Sequence, residues 1–178
     1  MGNMINRPTF CRLFACLTIV CLVGGCRCKG TRSFNTYVTL SESAKKDRAG
    51  FPAVEVDVIG LTELELEDWK SQSINDYFNP QGTLRASTEH VTFKLGNDKT
   101  TDVLPKDNET WAKWQARGVM HLMALVNWPR PVTEETGKRR RLVIPLDCSR
   151  WDKKQTDLRL VVTSEGLRLD TQPLPPKK

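Results

Sequence analysis

The chain of 178 residues is 39% hydrophobic, 27% charged and 7% aromatic, which excludes wholesale disorder, a collagen-like repeat and a multi-span membrane protein. Its formal charge of +6 includes Arg7 and Arg12, ahead of any acidic residue. The mild excess left beyond them implies no nucleic-acid partner.

In chain order, the first segment is basic and then apolar. Arg7 and Arg12 precede the continuous run Leu13 to Val23, which fits an export signal. The run is too short to span, because crossing about 30 Å of hydrocarbon takes about 20 apolar residues. It ends in Leu22-Val23-Gly24-Gly25-Cys26, which resembles the bacterial lipobox: an aliphatic residue, two small ones, then cysteine. That resemblance implies cleavage before Cys26 and a diacylglyceryl thioether on its sulfur, so residues 1–25 read as a lipoprotein signal peptide and residues 26–32 as a lipid-anchored tether. Each buried methylene contributes about 0.8 kcal/mol, so two or three acyl chains hold a domain to a bilayer. Arg27 follows the cysteine, and by resemblance to the enterobacterial sorting rule this favours the outer membrane, with the domain facing the periplasm. The competing reading is an ordinary secretory signal that happens to end near a cysteine.

Of six cysteines, Cys11, Cys16 and Cys21 fall in the signal. With Cys26 acylated, Cys28 and Cys148 remain in an oxidising compartment, where they either pair or stand as separate thiols. The stretch from Arg27 to Arg32 reaches at most about 20 Å. Its bases read as a solvated linker rather than a headgroup contact.

Beyond the tether the dominant period is two. Phe34, Val38 and Leu40 alternate with polar neighbours, as do Val54, Val56 and Val58 with Glu55 and Asp57; both read as half-buried strands. Thr62-x-x-Glu65 is a capping box predicting a helix from Leu64 to about Phe78, with its acidic residues on the wet side. Val91, Phe93 and Leu95 form a further strand face. A second short helix is predicted from near Asp107 or Asn108 to Gly118, carrying Trp111 and Trp114. Val119 to Trp128 is apolar at nearly every position, and Gly118 and Pro129 around it favour a strand covered on both faces. Leu142 to Leu146, with Pro145, suits an edge strand, and Leu158 to Leu169 a closing hairpin through Gly166. About seven strands and one or two short helices predict a mainly β fold, an antiparallel β-sandwich over residues 33–172 with a loose tail at 173–178.

Catalytic signals are sparse. The two histidines, His90 and His121, lack partners at metal or triad spacing; His90 reads as solvated and His121 as a core or rim residue. No phosphate-binding loop, dinucleotide fingerprint or nucleophile elbow is present. The run Lys138 to Arg141 reads as a solvated inter-strand loop. The expectation is a protein without enzymatic activity, cofactor, metal or small-molecule substrate. Two alternatives stay open: a carbohydrate-binding or enzymatic envelope lipoprotein using Trp69, Trp111, Trp114 and Trp128, and a structural envelope lipoprotein unrelated to secretion.

The order of these features resembles the type VI secretion outer-membrane lipoproteins, the TssJ family. A lipobox and short tether lead into the strand Asn35 to Ser41, a polar loop ending in Gly50-Phe51-Pro52, and Val54 to Leu61. Ile74-Asn75-Asp76-Tyr77-Phe78, Val91 to Gly96, His121 to Val126, Arg141 to Leu146 and Leu158 to Leu169 follow in the family's order. The resemblance implies a transthyretin-like sandwich hanging from the outer membrane and binding the periplasmic part of the inner-membrane protein TssM. It places that contact on the loop Glu42 to Pro52, with Lys45, Lys46, Asp47 and Arg48 at the tip and Phe51 as an apolar anchor. Three bases there favour an acidic patch on the partner. Leu104 to Arg117, with its two tryptophans, reads as an insertion.

Overall fold

The computed structural model describes residues 30–47, 53–128 and 139–176. Among them run β1 (Asn35–Leu40), α1 (Glu42–Asp47), β2 (Ala53–Leu61), α2 (Glu63–Ser71), α3 (Ile74–Tyr77), α4 (Leu84–Ser87), β3 (His90–Gly96), β4 (Thr101–Leu104), α5 (Glu109–Ala116), β5 (His121–Asn127), β6 (Arg141–Pro145), β7 (Asp157–Thr163) and β8 (Gly166–Leu169). A 3-10 turn at Cys148–Arg150 precedes β7.

The strands form two four-stranded sheets, ordered β4-β1-β7-β8 and β3-β2-β5-β6. Neighbours are antiparallel except β1 and β7, which pair in parallel. This is a β-sandwich, with Pro145 closing edge strand β6 as expected. The alternating apolar positions meet between the sheets, where Phe34, Val38, Val56, Phe93, Leu122 and Leu160 are buried. Each such side chain contributes roughly 1.5–3 kcal/mol by leaving water.

β2 and β5 are also covered on their outer face. Ile59, Leu61, Met123 and Leu125 pack there against Leu66 of α2 and Ile74 and Tyr77 of α3, which is why the Val119 to Trp128 run is apolar on both sides. The supposed insertion closes one end of the sandwich, with Trp111 and Trp114 of α5 buried in the main core. A Cβ at Gly60 of β2 would meet the Trp114 ring at 2.8 Å, so glycine there is what admits the indole. Gly118, at φ 74°, ends α5 as a left-handed residue.

Several sequence expectations are corrected. The single helix from Leu64 to Phe78 is two, because Gln72 is extended and Ser73 begins a new cap on the Asp76 amide. The Arg141 guanidinium donates to the carbonyls of Lys70 and Gln72, satisfying backbone acceptors where α2 ends. The basic run is solvated only in part where it is described: Arg139 is exposed and pairs with Glu165 at 2.7 Å, whereas Arg140 is 5% exposed, donating to the Val126 carbonyl and the Asn75 side chain. Burial pulls the guanidinium pKa of Arg140 and Arg141 below the usual arginine value. The connection after β1, expected as a loop, opens with helix α1. Strand β4 and helix α4 were not expected.

Candidate functional site

The connection from β1 to β2 carries the residues singled out for partner contact. Ser41 starts α1, its hydroxyl accepting from the Ala44 amide at 3.2 Å, and fully buried Ala44 pins the helix to the core. Ser43 accepts from the Ser164 amide, joining α1 to the β7–β8 turn. Lys45 pairs with Glu42 at 2.5 Å, while Lys46 is exposed. Asp47 closes the helix backbone; Arg48 and Phe51 lie outside the described residues, as do Cys26 and Cys28.

This connection lies at the opposite end of the sandwich from the point where the described chain begins. Thr31 bridges Asp147, and Gly30 and Arg32 join the backbone of Cys148 and Leu146. β1 then runs the length of the first sheet before α1. Cys148 is 6% exposed and disulfide-bonded; the other five cysteines of the chain all precede residue 30, so its partner lies outside the described residues.

Tryptophan burial bears on the sugar-binding alternative. Trp111, Trp114 and Trp128 are 2%, 1% and 6% exposed, and Trp69 packs edge-on against Tyr77 at 5.6 Å. These rings belong to the cores rather than to one open groove.

The densest polar cluster was missed in sequence. Asp57, expected on the wet face of its strand, is wholly buried beneath the helices. Its Oδ2 accepts from the Tyr77 hydroxyl at 2.9 Å and Arg85 Nε at 2.7 Å. Its Oδ1 accepts from Arg85 Nη2 at 3.0 Å and the Thr92 hydroxyl at 2.7 Å. Arg85 also pairs with Glu55 at 2.8 Å and stacks over Phe78 at 5.2 Å. His90, read as solvated, donates from Nδ1 to the Thr88 carbonyl at 2.7 Å and turns Nε2 toward Asp57 at 3.7 Å. Burial and then the Asp57 charge hold the Tyr77 phenol well above the usual tyrosine range. The hydrogen bond to Asp57 leads in raising Arg85, against the opposing effect of its own burial. The carboxylate is fully used by the protein's own donors, and the arrangement clamps α3 and α4 to β2 and β3. Ile59 and Leu61, on the same strand face as Asp57, are the sequence signal that this face is covered.

His121, expected as a core or rim histidine, is half-buried with Nδ1 3.5 Å from Glu63 Oε2. Among the described residues no group of three His, Cys, Asp or Glu is placed to hold a metal, and no helix is long and apolar enough to cross a membrane.

No protein-family model and no curated protein matches the sequence. Solved structures do match the fold. One described as the T6SS protein TssM C-terminal domain (869-1107) from EAEC aligns with TM-score 0.53 and 15% identity, covering 77% of this chain and 99% of that one. By these coverages the matched chain is shorter than the present one, too short to be that whole TssM segment. A second, described as a type VI membrane complex, aligns with TM-score 0.52 and 15% identity over 78% of this chain and 98% of that one. The T6SS lipoprotein TssJ1 from Pseudomonas aeruginosa aligns with TM-score 0.49 and 12% identity over 82% and 99%. In fold, this chain is a β-sandwich of the kind found in type VI secretion membrane-complex structures.

Proposed function

We propose that the protein is a lipid-anchored, outer-membrane scaffold of a type VI secretion membrane complex, of the TssJ kind, and that it binds the periplasmic part of a TssM-like inner-membrane protein without performing chemistry. The observation that carries this reading is the opposition of the two ends. The described chain enters the fold at Gly30, four residues after Cys26 in sequence, and β1 leads across the sandwich to α1, where Lys45 and Lys46 stand. Six residues of strand cover about 20 Å, so the acyl chains hold one end while the partner contact projects from the other.

The lipobox supports the anchor. The two fold matches support the assembly, since structures described by TssM and by the type VI membrane complex contain a chain of this architecture. Tethering works through effective concentration: fixing the domain at a surface turns a weak contact into a favoured one without new interactions. The saturated Asp57 and the buried tryptophans weigh against the enzymatic and carbohydrate-binding alternatives.

The test is capture of a TssM-like periplasmic domain by the full lipidated chain, native against Lys45→Glu, Lys46→Glu, Arg48→Glu. We expect capture to fall at least tenfold, with the loss mostly in association rate and reduced at high salt. Unchanged capture overturns the assignment of the contact to this connection. Absence of capture by the native chain overturns the partner.

A further inference from the structure

We infer that the partner is held by the whole end of the sandwich opposite the tether: α1 together with the β3–β4 turn at residues 97–100 and the β7–β8 turn at residues 164–165. The surface that fits this end is a protein face of mixed charge, with a base to meet Asp98 beside an acid to meet Lys46. The inference rests on the partner contact proposed above and adds the two turns and the second charge.

Helix α1 is too small to be the whole contact. A stable, specific protein contact covers about 800 Å² and roughly 20–30 residues on each side. α1 has six residues, and Ala44 among them is wholly buried. Strand register decides which surface lies beside it. β1 and β7 run parallel and end there, β3 ends opposite Ala53 at the start of β2, and β4 starts opposite Thr39. Both turns therefore emerge next to the helix.

The three pieces are fixed to one another. The Leu40 amide donates to the Thr100 carbonyl at 2.8 Å and the Ser41 amide to the Val162 carbonyl at 2.9 Å, so the residues leading into α1 hold the base of each turn. Ser43 of α1 accepts from the Ser164 amide at 3.4 Å. The turns are also closed on themselves. The Gly96 amide donates to the Lys99 carbonyl at 2.9 Å, and the Thr163 hydroxyl accepts from the Glu165 amide and donates to the Gly166 carbonyl. Gly166, at φ 133°, lies so close to Arg139 that a Cβ would meet its backbone oxygen at 2.1 Å. A surface ordered before binding loses little freedom when the partner arrives.

Net charge does not mark this end, but pairing does. Lys45 holds Glu42, Lys99 holds Asp102 and Arg139 holds Glu165, while Lys94, next along β3, holds Glu55. Among the side chains described at this end, Lys46 and Asp98 are left without an ion-pair partner, and both are exposed. One is a cation on the helix and the other an anion on the adjoining turn. A uniformly acidic partner would attract Lys46 and repel Asp98, whereas a mixed one satisfies both, and such like-charge contacts are what exclude wrong partners.

The experiment captures a TssM-like periplasmic domain with the full lipidated chain, then labels carboxylates in the complex with carbodiimide and an amine before mass spectrometry. Asp98 and Glu165 are expected to be protected on the order of fivefold relative to exposed Asp68 on α2. Asp98→Lys is expected to weaken capture at least about fivefold while leaving the urea midpoint of the free protein unchanged. Unchanged labelling of Asp98 and Glu165, with Lys46→Glu still weakening capture, overturns the wider footprint and leaves the α1 contact standing. Tighter capture by Asp98→Lys, the outcome for a wholly acidic partner, overturns the mixed-charge assignment. Absence of capture by the native chain overturns the partner and this inference with it.

Discussion

At the scale of single residues, the side chain on which most depends is Asp57. A buried carboxylate is costly unless its oxygens are met, and here Tyr77, Arg85 and Thr92 meet them. Asp57→Asn keeps the shape but withdraws the charge, placing an amide donor among donors and leaving Arg85 without its main partner. We expect a loss of about 3 kcal/mol, the low end for a broken buried pair, because the Arg85 side chain keeps 29% of its surface in solvent. Tyr77→Phe removes one hydrogen bond to the charge and costs about 1.5 kcal/mol. Urea denaturation of the two variants checks the order, and a smaller loss for Asp57→Asn than for Tyr77→Phe refutes the clamp. The raised phenol pKa adds a direction: a group raised on folding contributes fully below its unfolded value, about pH 10, and its contribution declines as pH climbs above that.

At the scale of elements, α2 shows what local sequence does and does not determine. Its start is local: Thr62 accepts from the Glu65 amide at 3.3 Å and Glu65 from the Thr62 amide at 2.8 Å, a capping box readable from four residues. Its end combines a local signal, the Ser73 cap on the Asp76 amide, with a distant one, Arg141, which no local pattern announces. The same division runs through the fold. The long alternating strands were legible because one face had to be apolar, whereas the four residues of β4 are too few to establish a period. The charged connection after β1 was legible as a candidate contact, but its place opposite the tether is a product of strand register.

The Glu65 cap yields an acid-side prediction. Burial works to raise this carboxyl, but the hydrogen bonds from Thr62 and the Arg117 charge prevail and hold it below the ordinary glutamate value. A carboxyl lowered on folding contributes above its unfolded value, about pH 4.3, and that contribution is lost as pH falls through the folded value. The protection of α2 amides, corrected for the slower chemical exchange in acid, is expected to fall below about pH 4 while that of β2 is kept, and Thr62→Ala to cost about 1 kcal/mol at neutral pH. An equal loss of protection in α2 and β2 refutes a local origin.

At the scale of the whole molecule, Cys148 is where the proposed anchor would join the fold. Its disulfide partner is one of the cysteines before residue 30, and the proposed processing narrows the choice: Cys11, Cys16 and Cys21 leave with the signal, and an acylated Cys26 has no thiol to oxidise. We therefore assign the partner as Cys28. The Cys148 amide donates to the Gly30 carbonyl at 3.2 Å, which brings the end of the tether to that cysteine. Such a bond makes the tether part of the domain, so that pull on the acyl chains reaches the β6–β7 connection directly instead of peeling Thr31 from Asp147. Closing a loop on the order of 100 residues contributes about 4–5 kcal/mol. Peptide mapping without reduction is expected to recover Cys28 linked to Cys148, and Cys28→Ser to lower stability about as much as reduction does. A Cys26 to Cys148 link would refute both this pairing and acylation of Cys26, because one sulfur cannot carry a thioether and a disulfide together.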